Sequence, residues 1–203
     1  MKTLIKESQI NQIVSNLAKK IAMEYKDRIF TLLAVMNGAA YLAVDLSREL
    51  GRLAIPHYFE TVQCCSYKGQ EQCETRIHVE DLKLQSKNIL LFDELFDTGK
   101  TFYEIKNKIT SLHSECEIKT CVVFIKDKVF DYPAPDYVGI KIHDVWVVGC
   151  GLDDNGLCRY VTSLYAVPKS RELSHLKGEH DKIFEDQEYY ESLFEDGLYL
   201  GLP

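Results

Sequence analysis

The spacing of apolar residues changes twice within the first fifty positions. Apolar side chains recur every three or four residues from 8 to 24, which predicts an amphipathic helix with Ser8 placed to cap its N-terminus. A continuous apolar run follows from Ile29 to Val35 and stops at Asn37-Gly38, and helical spacing returns from about Ala40 to Leu50. This order indicates a helix, a buried strand, a tight turn and a second helix.

The same order of strand, turn and helix returns further along the chain. The predicted elements are a buried strand over 88–92, a turn over 97–101, a helix over 102–112 and apolar strands over 118–125, 137–142 and 145–148. Alternating strands and helices imply a parallel sheet that is covered by helices. We therefore predict an α/β fold.

A polar stretch from 66 to 79 interrupts this alternation. It lacks any apolar period, so we predict a long mobile loop. Structureless segments of this length inside a compact domain are usually either functional lids or disordered. Both alternatives remain open from the residues alone.

Length and charge narrow the class of protein. A chain of 203 residues fits one domain, which we place at 1–170, followed by an acidic extension at 171–203. Of the net charge of -7, the extension carries nine Asp or Glu against three Lys or Arg, so the main body is nearly neutral. Because nucleic-acid binding normally needs a basic face, we expect no nucleic-acid partner.

Two further features point to a cytoplasmic protein. No stretch approaches the apolar length of a membrane span, and the first seven residues are not followed by an apolar segment typical of export, so we expect no membrane partner. The seven cysteines form an odd set without CxxC pairs, which favours neither a disulfide framework nor a zinc site.

The segment from Ile89 to Thr101 carries the candidate chemistry. Its ending, Gly99-Lys100-Thr101, resembles a nucleoside-triphosphate P-loop, but that motif requires a glycine where this chain has Glu94. What remains is a turn that leads into a helix, whose free N–H groups and positive dipole end bind a phosphate with help from Thr98 and Thr101. Asp93 and Glu94 stand where a sugar attached to that phosphate would lie, and carboxylates accept hydrogen bonds from adjacent hydroxyls.

The complete run is more specific than any of its parts. An apolar strand, two adjacent acids, two apolar residues and then Asp97-Thr98-Gly99-Lys100-Thr101 resemble the phosphoribosyl pyrophosphate signature of the type I phosphoribosyltransferases. The resemblance extends from about Leu32 to Val167 and narrows to the hypoxanthine-guanine branch. It implies a parallel-sheet fold with helices on both faces, a small hood and a mobile lid loop.

Four further stretches match this family in order. Asn37 and Gly38 resemble its pyrophosphate-binding turn, and Ser66-Tyr67 its catalytic lid. Lys126 matches the lysine that donates to the 6-oxygen of the purine. The segment from Asp144 to Asp153 resembles the base-binding segment, in which Trp146 would stack on the base, the Val147 backbone would bind its edge and Asp153 would hold magnesium.

The resemblance also implies a reaction and its site. The chain would transfer a 5-phosphoribosyl group from phosphoribosyl pyrophosphate to hypoxanthine, with guanine as a further candidate base, in purine salvage. Asp97 would be the catalytic acid-base residue, and Arg159 would meet the pyrophosphate. The remaining contacts to phosphoribosyl pyrophosphate would come from Asn37, Gly38, Asp93, Glu94, Thr98, Gly99, Lys100 and Thr101.

Magnesium is the expected cofactor, with Asp153, Asp93 and Glu94 as its candidate ligands, and the expected assembly is a homodimer or homotetramer. Two alternatives remain at this point. One is a phosphoribosyltransferase for xanthine or a pyrimidine. The other is a regulatory protein that binds phosphoribosyl pyrophosphate without catalysis.

Two departures from the family pattern concern the site. Asp93-Glu94 reverses the Glu-Asp order common in this branch, so the hydroxyl that each acid contacts is open. The turn at Asn37 lacks a lysine that some relatives have, and Ala39 stands where a second glycine is frequent. The family often holds this turn with a cis non-proline peptide, which we expect at Met36-Asn37.

Overall fold

The computed structural model of the chain describes residues 2–68, 71–78 and 84–167. Its helices are α1 (Glu7–Tyr25), α2 (Ala40–Arg52) and α3 (Lys100–Leu112). Its strands are β1 (Lys2–Ile5), β2 (Phe30–Met36), β3 (His57–Lys68), β4 (Glu71–His78), β5 (Asn88–Phe96), β6 (Glu117–Lys126), β7 (Tyr137–Ile142), β8 (Trp146–Val148) and β9 (Leu164–Val167). The predicted extension at 171–203 lies outside the described residues, and its boundary stays a prediction.

Two sheets organise the fold. The larger has the strand order β4-β3-β2-β5-β6-β7, in which all neighbours are parallel except β4, which pairs antiparallel with β3. The smaller sheet has the order β1-β9-β8 with antiparallel pairs, and we identify it as the predicted hood. The parallel α/β architecture expected from the alternating elements is confirmed.

Successive residues of the central strands point to opposite faces of the larger sheet, because side chains alternate along a strand. Phe30, Leu32 and Ala34 of β2 pack in one apolar cluster with residues of α1 and α2. Leu33 and Val35 pack in another with residues of α3. Helices therefore cover both faces, and the near-continuous apolar runs of the sequence reflect burial on both sides.

The start of α1 differs from the prediction. The capping position is Lys6, whose backbone N–H donates to Oε1 of Gln9 at 2.9 Å, and Ser8 lies inside the first turn. The proposed Ser8 cap is therefore wrong. Gln9 supplies the side-chain acceptor three residues after the cap, a position that the apolar period does not reveal.

The end of α1 is tied to the sheet by Glu24. Its carboxylate accepts hydrogen bonds from Lys119 of β6 and Tyr137 of β7, and it pairs with Arg28 at 3.4 Å. The hydrogen bonds from Lys119 and Tyr137 lower the pKa of Glu24. This contact fixes α1 against the edge of the sheet that is farthest from β4.

The loop predicted from 66 to 79 is wrong as a description of the backbone. Residues 57–68 and 71–78 instead pair as antiparallel strands, with Gln63 opposite His78 and Cys64 opposite Ile77. Backbone hydrogen bonds hold such a ladder whatever the polarity of its side chains, so the absence of an apolar period did not exclude strands.

Strands β1 and β9 were not predicted, because four residues are too few to show a period. These two strands of the hood are thus recognisable only once they pair. Among the described helices, none combines the length and apolar character that crossing a bilayer requires.

Candidate active site

Most of the predicted site residues meet in one cavity of about 250 Å³. It lies where β2, β5 and β6 reach their carboxyl ends, the usual place for ligands in open parallel sheets. The predicted residues that line it are Asn37, Gly38, Asp93, Glu94, Asp97, Thr98, Gly99, Thr101, Lys126, Trp146, Val147, Asp153 and Arg159.

The turn between β5 and α3 has the form of a phosphate cradle. Gly99 has φ +89°, and a Cβ there would lie 2.6 Å from the Phe96 ring and 2.9 Å from Cβ of Tyr132. Only glycine therefore fits. Thr98 Oγ1 accepts the Lys100 N–H at 3.3 Å, and the other N–H groups of the first helical turn are the natural donors to a phosphate.

The side chain of Lys100 is not brought to the cavity. Its ammonium pairs with Glu104 one turn along α3, at 3.6 Å. Any contribution of Lys100 to phosphate binding therefore comes from its position in the first turn of the helix. The sequence alone could not show whether Lys100 would act through its side chain or through its position in the first turn of α3.

The acidic pair lies near the carboxyl end of β5, with Glu94 buried and Asp93 half-buried. The Glu94 backbone N–H donates to Asp93 Oδ1 at 3.0 Å. Burial first, and then the charge of Glu94, raise the pKa of Asp93 well above its usual range. Burial also raises the pKa of Glu94, although its hydrogen bond with Asp93 and the charge of Arg159 act in the opposite direction.

Glu94 reaches the turn that follows β2. A Cβ on Gly38 would lie 1.9 Å from Glu94 Oε1, so the glycine makes room for this carboxylate. Glu94 is only 8% exposed, and its Oε2 has no hydrogen-bond partner among the described residues. A buried carboxylate oxygen without a partner is costly unless a ligand satisfies it.

The predicted cis peptide is present between Met36 and Asn37. The turn packs against the loop after β8, where a Cβ on Gly151 would lie 1.9 Å from the Gly38 carbonyl oxygen. Gly151 has φ +100°. The two glycines therefore allow two backbones to meet at the floor of the cavity.

Arg159 joins this loop to the acidic side of the cavity. Its Nη1 donates to the Gly151 carbonyl at 2.7 Å, and its Nη2 lies 2.5 Å from Asp153 Oδ1. Asp153 also accepts the Gly156 N–H at 2.6 Å. The guanidinium and the carboxylate are thus held together at the cavity wall.

Lys126 and Trp146 also line the cavity. Lys126 is 4% exposed, and its ammonium donates to the Val145 carbonyl. Burial lowers the pKa of Lys126, while the charges of Asp97 and Asp144 act in the opposite direction. Trp146 is partly exposed to the cavity, and its buried Nε1 has no hydrogen-bond partner within the described part of the chain.

Comparison with known proteins identifies the family of this site. A family model described as the phosphoribosyl transferase domain matches residues 2–155. The hypoxanthine-guanine phosphoribosyltransferase of Aquifex aeolicus is 32% identical over 173 residues, which cover 82% of this chain and 94% of the relative. The chain belongs to the phosphoribosyltransferase family, in its hypoxanthine-guanine branch.

More distant relatives agree with this assignment. The hypoxanthine-guanine-xanthine phosphoribosyltransferase of Tritrichomonas foetus is 26% identical, with 75% of this chain and 83% of the relative covered. The fold matches the hypoxanthine phosphoribosyltransferase of Trypanosoma cruzi in complex with its product IMP. That match has a TM-score of 0.70 at 24% identity and covers 83% of this chain and 94% of the other. The expected family and fold are confirmed.

The structure adds Lys128 to the phosphoribosyltransferase site. Its ammonium lies 2.5 Å from Asp97 Oδ1 and 3.3 Å from Asp144 Oδ1. Partial burial alone would lower the pKa of Lys128, but hydrogen bonding to Asp97 and the charges of Asp97 and Asp144 outweigh it and raise the pKa. Sequence analysis missed this residue, although its place two positions after Lys126, beyond a strand end, was a usable signal.

The lid assignment is not tested by the described residues. Ser66 and Tyr67 lie in β3, and nothing is described of their side chains. Their role therefore stays a prediction, as do the individual roles of the other site residues.

The carboxylates at the cavity wall fit magnesium only together with oxygen atoms from a substrate or water. Within 2–68, 71–78 and 84–167, no group of three or more His, Cys, Asp or Glu side chains could hold a metal by itself. Magnesium in phosphate-transferring sites is commonly held by one or two carboxylates together with substrate oxygens and water. Asp153 and the partnerless oxygen of Glu94, both at the cavity wall, fit that arrangement.

Proposed function

We propose that this phosphoribosyltransferase transfers the 5-phosphoribosyl group of phosphoribosyl pyrophosphate to hypoxanthine, and to guanine as a second base, in purine salvage. The observation that carries the proposal is the composition of one cavity. A phosphate-binding turn, an acidic pair whose Glu94 is buried, and a buried lysine beside an aromatic ring line the same space. These groups match in turn the phosphate, the ribose and a 6-oxopurine.

The proposed mechanism follows from where charge develops. As pyrophosphate leaves the ribose C1′, positive charge grows on the sugar and negative charge on the leaving group. Arg159 is placed to stabilise the leaving group, and the Asp93-Glu94 pair to accept hydrogen bonds from the ribose hydroxyls. Fixed charges inside a partly closed cavity stabilise such a transition state more strongly than water does.

On the base side, three groups have separate tasks in this proposal. Lys126 donates to the 6-oxygen, Trp146 stacks on the ring, and Asp97 takes or returns the proton on purine N7 while another ring nitrogen attacks C1′. Ser66-Tyr67 begin the segment that we propose closes the cavity and excludes water, which would otherwise capture the sugar.

Magnesium is the proposed cofactor, with Asp153, Asp93 and Glu94 as candidate ligands, one or two of which would act together with substrate oxygens and water. When bound, it would offset negative charge on the pyrophosphate. We also propose that the chain acts in the cytoplasm as a homodimer or homotetramer, with 171–203 as an acidic extension. Large apolar side chains exposed on α2 and β3, among them Tyr41, Tyr58 and Phe59, support self-association.

The proposal is tested by incubating the full chain with phosphoribosyl pyrophosphate, magnesium and one base at a time. Formation of IMP with release of pyrophosphate is the expected result for hypoxanthine. Xanthine is the next base to include, because the Tritrichomonas foetus relative is named for it. Binding of phosphoribosyl pyrophosphate without nucleotide formation from any base would contradict the enzyme assignment.

Asp153→Ala should raise the magnesium concentration that gives half-maximal turnover. The expected cause is loss of a carboxylate ligand, and magnesium titrations of activity and of phosphoribosyl pyrophosphate binding measure the change. Because Asp153 also pairs with Arg159, Arg159→Met serves as the comparison that removes the pair but keeps the carboxylate. An unchanged magnesium requirement in Asp153→Ala would contradict the ligand role.

Trp146→Ala should weaken the binding of hypoxanthine more than that of phosphoribosyl pyrophosphate. Aromatic stacking on a base contributes about 1 to 3 kcal/mol, so the Kd of the base should rise by roughly 5- to 150-fold. Calorimetric titration with each ligand measures the difference. Equal losses for both ligands, or a large fall in melting temperature, would favour a core role for this side chain instead.

A further inference from the structure

Two charged side chains that do not line the cavity connect two that do. Lys128 Nζ is 2.5 Å from Asp97 Oδ1 and 3.3 Å from Asp144 Oδ1. Lys126 Nζ lies 3.5 Å from the same Oδ1 atom of Asp144. The four side chains form one row of alternating charge, in the order Asp97, Lys128, Asp144, Lys126.

The row spans three parts of the fold. Asp97 directly follows β5 and Lys126 ends β6, and these strands are paired so that Phe96 lies opposite Ile125. Asp144 comes from the segment between β7 and β8, and therefore from the entrance to the hood. The row thus links the ends of β5 and β6 to the segment that leads into the hood.

The structure of a 6-oxopurine suggests what this row of charges does. The 6-oxygen and N7 lie side by side on one edge of the base. In the proposed function Lys126 contacts the first and Asp97 the second, so the two groups must keep a fixed separation to bind both atoms at once. Small errors in such positioning reduce rates strongly.

We infer that Lys128 is a positioning residue for base recognition, which holds the Asp97 carboxylate toward the base and, through Asp144, sets its place relative to Lys126. The inference rests on the proposed function. Its strongest link is the Lys128–Asp97 pair, in which both side chains are about 70% shielded from solvent. The links to Asp144 are longer, and its side chain is 51% exposed, so they contribute less.

The test compares three variants of the full chain. Lys128→Met removes the charge and keeps a side chain of similar length, and Lys128→Arg keeps the charge. Lys141→Met is the matched control, because Lys141 also pairs with an aspartate at 3.3 Å, but that partner, Asp127, does not line the cavity as Asp97 does. Steady-state kinetics with hypoxanthine and phosphoribosyl pyrophosphate, together with melting temperatures, are measured for each.

Lys128→Met should lower kcat/KM for hypoxanthine by about tenfold, as is typical of coupling within one ion-pair network, while the KM for phosphoribosyl pyrophosphate stays constant. Lys128→Arg should recover most of the loss, and Lys141→Met should resemble the parent. In an Asp97→Asn background, Lys128→Met should cause little further loss, because the residue that it positions is already neutral.

Two results would overturn the inference while leaving the proposed function intact. One is an active parent whose kcat/KM for hypoxanthine is unchanged by Lys128→Met. The other is an equal loss with and without Asp97→Asn, which would mean that Lys128 does not act through Asp97. A parent that forms no nucleotide from any base would instead overturn the proposed function, and the inference with it.

Discussion

Asp97→Asn is expected to slow the chemical step by about 10² to 10⁴-fold, the usual range for loss of a general acid-base group. Asp97 lines the cavity beside the phosphate turn, and in the proposed function it handles the proton on the base. Asparagine keeps the size and hydrogen bonding of the side chain but cannot take up the purine proton. Single-turnover rates measure the effect, and phosphoribosyl pyrophosphate binding should change little.

The control for this variant is Thr101→Ala. Thr101 also lines the cavity, at the start of α3, and its loss should mainly weaken binding through the 5′-phosphate. A group that acts only in the transition state lowers kcat without weakening ground-state binding, so the two variants should separate. Turnover of Asp97→Asn at the parent rate would show that the proton is handled by another group.

Gly151→Ala is expected to weaken phosphoribosyl pyrophosphate binding by roughly 100-fold, which corresponds to about 3 kcal/mol. The added Cβ would lie 1.9 Å from the Gly38 carbonyl oxygen, so one of the two backbones has to move. The backbone of Gly151, at φ +100°, is also unfavourable for alanine. Direct titration with phosphoribosyl pyrophosphate measures the loss.

Gly156→Ala provides the matched control in the same loop. Gly156 has φ +84°, but a Cβ there would meet no described atom within 4 Å. This variant therefore carries a similar backbone penalty without the collision, and it should lose a little stability and keep ligand binding. If both variants bind phosphoribosyl pyrophosphate equally well, contact between the two turns does not shape the site.

Local patterns were sufficient for the elements that carry the chemistry. The apolar run of β5, the acidic pair and the turn before α3 are contiguous, so their order could be interpreted without knowledge of the fold. The same holds for β7, whose predicted bounds of 137–142 are those of the structure. Strands β1 and β9, which pair with each other from distant parts of the chain, were not predicted. The adjacent strands β3 and β4 were not predicted because their side chains show no apolar period.

The candidate site shows the same division. The resemblance of the ordered motifs to the family suggested Asp97 and Lys126, and the structure brings both to one cavity. The sequence did not identify Lys128, whose partners lie 31 and 16 positions away in the chain. It also did not reveal that the Lys100 side chain lies along α3 beside Glu104, and the predicted contact of Lys100 with the phosphate stays a prediction.

By itself, the sequence determined the family, the parallel α/β class and the turn that can hold a phosphate, since each depends on residues close together in the chain. Only the tertiary structure decided which side chains meet. It brought Glu94 against Gly38, Gly151 against the same turn, and Lys128 between Asp97 and Asp144. The physical reason is that burial, close contact and ion pairing depend on distances between residues that are far apart in the chain. These distances are fixed only once the strands have paired.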